Sequence, residues 1–73
     1  PLGVPALRAL AGIGAPAVGP LTKALADPSP LVRVQAAFVL GELGPTARPA
    51  LAELEKLLRD PNGDVAVEAA RAV

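Results

Sequence analysis

Apolar residues recur three and four positions apart along most of this chain, and Gly- and Pro-bearing breakers interrupt them at short intervals. Residues three and four apart share one face of a helix, so the pattern predicts amphipathic helices joined by tight connections. Five can be placed. The first runs roughly from Val4 to Ala11 and is ended by Gly12 and Gly14. The second runs from about Pro16 to Ala26. The third follows the segment DPSP, with Ser29 as N-cap and Pro30 in the first helical position, and continues to about Leu40, where Gly41 and Gly44 stop it. Thr46 is the expected N-cap of the fourth, which extends to about Arg59 with Pro49 in its first turn. Asn62 caps the fifth, from Gly63 past Val73. Such short connections make neighbouring helices antiparallel hairpins.

The same period assigns faces. Val32, Ala36, Val39 and Leu40 fall together on the third helix. On the fourth, Ala47, Leu51, Leu54 and Leu58 do so, with Ala50 and Leu57 alongside. These are the expected core positions. Leu31, Val34 and Phe38 fall in a narrow sector on the opposite side of the third helix, and Phe38 is the only aromatic residue of the chain.

The chain also repeats itself. LADPSPLVRVQAAFVL, from Leu25, returns as LRDPNGDVAVEAARAV, from Leu58, at a spacing of 33. Asp27/Asp60, Pro28/Pro61, Val32/Val65, Val34/Val67 and Ala36/Ala69 all match in that register. Upstream, Val4/Val34, Leu10/Leu40, Gly14/Gly44, Ala17/Ala47 and Leu21/Leu51 match at a spacing of 30. The three-residue difference falls within the fourth helical segment, because LTKALADP at Leu21 also matches LEKLLRDP at Leu54. A period of this size in an Ala- and Leu-rich chain signals a stacked helical solenoid, a fold that presents surfaces for binding. The expected organisation is one segment, 1–73, in units of about 1–26, 27–59 and an incomplete 60–73. An opening at PLGVP without Met, and an end at ARAV without a helix stop, fit an internal piece of a longer array.

The motif D-P-x-x-x-V-R-x-x-A-A-x-x-L-G-x-L-G, from Asp27 to Gly44, resembles HEAT repeats. It is most similar to the short bacterial HEAT-like repeats named after phycobilisome lyases. The stretch A-x-x-A-L-x-x-L, from Ala47 to Leu54, fits the second helix of the same unit. The resemblance covers essentially the whole chain, as about two and a half repeats. It implies an all-α, antiparallel helix-hairpin superhelix. It makes Asp27 and Asp60 the turn aspartates and Arg33 a bridge to the Asp of a neighbouring repeat, with Ala66 where the next Arg would stand. It places the second-helix layer on the concave side, where Thr22, Lys23, Arg48, Glu53, Lys56 and Arg59 form a second, weaker contact surface. Related repeats carry charged residues at the outward positions that here hold Leu31, Val34 and Phe38. Val4 and Val67 occupy the place of Val34 in the flanking repeats, so an apolar row is expected across the outer face. Two readings of such a row stand: a neighbouring repeat or local twist covers Phe38, or the face contacts another protein chain or a membrane surface.

Composition removes most chemistry. There is no His, Cys, Tyr, Trp or Met. Ser29 and Thr46 are claimed as helix caps, and a hydroxyl nucleophile needs an adjacent base. No catalytic residue, metal site, cofactor or small-molecule substrate is therefore expected. Asp60, Asn62 and Asp64 alternate like the start of a calcium loop, but the later Glu is missing and the repeat register explains all three. GIGAPAVG, from Gly12, lacks the Lys and hydroxyl of a phosphate loop. Seven basic and seven acidic residues leave no net charge, which disfavours nucleic acid. With no cysteine, redox gives no sign of compartment. The expected function is a non-catalytic protein–protein interaction scaffold, a subunit or segment of a hetero-assembly. The alternatives are a bilin lyase or lyase-like chaperone subunit, implied by the resemblance alone, and a nucleic-acid-binding module.

Overall fold

Two aspartates one repeat apart turn the chain in the same way. Asp27 Oδ1 accepts the Ser29 N–H at 2.8 Å, and Asp60 Oδ1 accepts the Asn62 N–H at 2.8 Å. Each carboxylate closes an Asx turn two residues long, and a helix begins directly after it. In the computed structural model, which describes Ala9 and residues 12–73, these turns join four α-helices: α1 (Val18–Ala24), α2 (Pro30–Leu43), α3 (Leu51–Leu57) and α4 (Gly63–Ala72). Short 3-10 segments, Ala15–Ala17 and Gly44–Ala50, lead into α1 and α3. The helix expected over Val4–Ala11 lies outside the described residues except for Ala9, which is helical.

Both helices after the turns start where expected, but their caps differ. Asn62 Oδ1 accepts from the N–H groups of Asp64 and Val65 at 3.0 and 3.3 Å. Ser29 stands at the N-cap of α2 with Pro30 next, yet its side chain makes no capping bond. Asp27 takes the backbone of Ser29 instead, and Pro30 has no N–H in need of a partner. Gly41 does not stop α2, which continues to Leu43. A Cβ at Gly41 would lie 3.3 Å from Ala72 Cβ, so the glycine lets α4 approach. The stop is Gly44, at φ 58°, matching Gly14 at φ 81° thirty residues earlier. Side chains rarely adopt that conformation.

The helix expected from Thr46 to Arg59 is divided. Gly44–Ala50 is 3-10, Thr46 lies inside it rather than at a cap, and only Leu51–Leu57 is α-helical. Pro49 in an α-helix would clash with the carbonyl four residues back, which favours the tighter winding. The same segment explains the two registers. Ala15–Ala17 precedes α1, and Gly44–Ala50 precedes α3 with three more residues after the stop. A 3-10 helix has about 3.0 residues per turn, so the insertion adds one turn and returns the chain to the same face.

The helices form two layers. α2 and α4 pack side by side, and α1, Gly44–Ala50 and α3 lie against them. Leu21, Val39, Leu40 and Val65 are the largest side chains wholly shut off from solvent. Ala36, Ala47, Ala50, Leu54 and Leu57 are buried as expected, and Val32 packs half-buried against them. Leu51 and Leu58 are not core: they are 40% and 44% exposed. Their equivalents at a spacing of 33, Val18 and Leu25, are only 6% and 3% exposed. α1, which carries that pair's Val18, packs on α2 and on the 3-10 segment of the next unit, whereas α3 packs chiefly on α4 and its own 3-10 segment. Among the described residues, no following 3-10 segment packs on α3 as Gly44–Ala50 packs on α1. The architecture is an all-α, two-layer stack of helix hairpins, with no strand among the described residues.

Candidate interaction surface

The outer face is built by α2 and α4. Leu31 and Phe38 on α2 and Val67 on α4 are exposed, Phe38 at 39%. Val34 lies between them, half-buried against the core. Val4 lies outside the described residues. Leu31, Val34 and Val67 meet in a shallow groove of about 460 Å³, with Asp64 and Glu68 on its rim. A smaller depression of about 80 Å³ continues it past Phe38 and Gly41, bordered by Glu42, Glu68 and Arg71. Arg71 Nη1 donates to Glu68 Oε1 at 2.7 Å. Of the carboxylates around this face, Asp64 stands out from the sequence only in the calcium-like alternation, and Glu42 and Glu68 do not stand out. Their signal was present in the spacing, since Asp64 and Glu68 lie four apart astride Val67, and Glu42 lies four after Phe38.

The opposite layer divides the other surface residues. Thr22, Lys23 and Glu53 border one open groove of about 640 Å³ together with Val18 and Pro49. The Thr22 hydroxyl donates to the Val18 carbonyl at 2.6 Å. Arg48, Lys56 and Arg59 are exposed on the same layer but do not line that groove. Lys56 lies 3.2 Å from Glu53, an exposed pair of small energetic weight.

Asp27, Arg33 and Asp60 come together beside the starts of α2 and α4. Arg33 Nη1 donates to the carbonyls of Asp27 and Pro28 at 2.8 and 3.0 Å. Its Nη2 donates to Asp60 Oδ1 at 3.3 Å, and its Nε lies 3.0 Å from Asp60 Oδ2 in a charge contact outside hydrogen-bond geometry. The guanidinium therefore ties the turn at Asp27 to the turn at Asp60. The Asn62 N–H holds the Asp60 carboxyl below its ordinary pKa, burial opposes this, and Arg33 adds to the lowering.

These features define an all-α repeat protein built from stacked helix hairpins. The described residues hold no group of metal-ligating side chains and no helix long and apolar enough to cross a membrane. A family model for HEAT repeats matches residues 5–73, and the chain belongs to the HEAT-repeat family. No curated protein and no solved structure matches it. The family fold is typical of non-catalytic scaffolds.

Proposed function

We propose that this chain is a protein–protein interaction scaffold, a segment of a larger hetero-assembly, and that the outer α2/α4 face carries the contact. The observation that supports this reading is the exposed row of Leu31, Phe38 and Val67 over Val34. Contiguous exposed apolar residues with a charged border are the usual mark of an interaction site. Aromatic side chains are enriched at the centres of such sites, and Phe38 is the chain's sole aromatic. Arg33 and Asp60 act between units on this reading, bracing the array rather than binding a partner. The units 1–26, 27–59 and 60–73 are successive members of that array. The lyase-type branch of the resemblance has no residue here to carry it. The concave layer is a poorer candidate for nucleic acid, because Glu53 and Glu55 interrupt its basic residues.

The test is Phe38→Glu. We expect a stability change of about 1 kcal/mol or less, because the side chain is on the surface. Assembly with a partner chain should weaken, since the new charge is desolvated at the contact. Lys56→Glu should leave assembly unchanged. Unfolding of Phe38→Glu would place Phe38 in the core, and loss of assembly with Lys56→Glu alone would move the contact to the concave layer.

A further inference from the structure

The outer face has a shape and a charge that together specify its partner. Leu31, Val34 and Phe38 are spaced i, i+3 and i+7 on α2, so they form one stripe about two turns long, roughly 10 Å. A stripe of that spacing is the complement of a second helix bearing the same pattern. Val67 on α4 forms the far wall of the groove. Among the described residues the border is acidic: Glu42, Asp64 and Glu68 face a single cation, Arg71, which Glu68 already holds at 2.7 Å. The cations of the opposite layer, Lys23, Arg48, Lys56 and Arg59, are absent from this border. Among the described residues, the border of this groove therefore carries more negative than positive charge.

We infer that this face takes an amphipathic helix of another protein, with apolar residues at i, i+3, i+4 and i+7 seated on Leu31, Val34, Phe38 and Val67 and Lys or Arg side chains meeting Glu42, Asp64 and Glu68. The inference rests on the reading that the outer face binds protein, and adds the partner's chemistry to it. The same acidity disfavours an anionic lipid surface, which attracts basic segments, and nucleic acid, which needs them. Opposite charges at the border of an apolar contact act mainly on specificity and association rate, so partner sign is what the face selects.

The test is an amide-shift titration of the full, isotopically labelled chain. The first probe is a helix-forming peptide of Leu and Lys with that apolar spacing. The second is the same peptide with Glu for every Lys, and the third is vesicles containing phosphatidylserine. The Lys peptide should shift Leu31, Val34, Phe38, Val67 and Glu68 and bind about tenfold or more tightly than the Glu peptide, about 1.4 kcal/mol. Glu42→Lys with Asp64→Lys, both at exposed positions, should reverse that preference with only a small drop in the melt, from the charge placed at the N-terminus of α4. Leu31→Glu should weaken both peptides. Equal binding of the two peptides, shifts centred on Thr22 and Glu53, or a response to vesicles matching that to the Lys peptide would overturn the inference. If no probe binds while Phe38→Glu still weakens assembly, the partner chemistry is wrong and the protein-binding reading stands. If Phe38→Glu also leaves assembly intact, both fall.

Discussion

Asp60 serves its own turn and its neighbour's at once: one oxygen accepts the Asn62 N–H, and both face Arg33. The contacts favour the ionised form, so the folded-state pKa lies below the unfolded value of about 3.9. A lowered carboxyl pKa adds stability that is fully present above the unfolded pKa and is lost as pH falls through the folded one. The gap in stability between wild type and Asp60→Asn, read from urea unfolding, should therefore be constant from neutral pH to about 5 and narrow below about 4. A gap unchanged down to pH 2 would show that the charge of Asp60 does not matter. Asp27 shares the turn geometry, but the guanidinium bonds its backbone carbonyl rather than its carboxylate. Ala66 stands where Arg33 stands one unit earlier, so the pattern of one cation spanning two turns is not renewed on α4.

At the scale of elements, α3 decides which repeat register controls burial. Leu21 pairs with Leu51 at a spacing of 30 and with Leu54 at 33. Leu21 and Leu54 are buried and Leu51 is not, so the longer spacing places buried Leu54, although it also pairs buried Val18 and Leu25 with exposed Leu51 and Leu58. Leu54→Ala should cost roughly 2–5 kcal/mol, whereas Leu51→Ala should cost about 0.5 kcal/mol or less. Equal losses in urea unfolding would contradict this division. The core of α2 and the starts of α2 and α4 were legible because period, Pro30 and Asn62 act locally. Leu51 and Leu58 were misplaced because the helical period gives a face but not the neighbour that covers it. The division at Pro49 was missed for a related reason: a proline tolerated near a helix start does not reveal that a whole 3-10 turn precedes the α-helix. The outward direction of Leu31 and Phe38 could be read from the period. The acidic border of the groove could not, since it forms only when α4 is set beside α2.

Across the whole molecule, equal numbers of charges are sorted by surface. Among the described residues, carboxylates border the apolar α2/α4 face, Arg33 and Asp60 pair with each other, and most remaining cations lie on the opposite layer. A scaffold sorted in this way offers two chemically different sides to its surroundings, and the apolar one is the side expected to hold a protein partner. Isolated exposed leucines are ordinary on any protein, so exposure alone does not establish that claim. Contact with another chain does. The most direct measurement is site-specific photo-cross-linking in cells that make the protein, with a photoreactive phenylalanine analogue at position 38 and, separately, at position 56. A covalent adduct to another polypeptide is expected from position 38 and none from position 56. Adducts from position 56 with none from position 38 would contradict that claim.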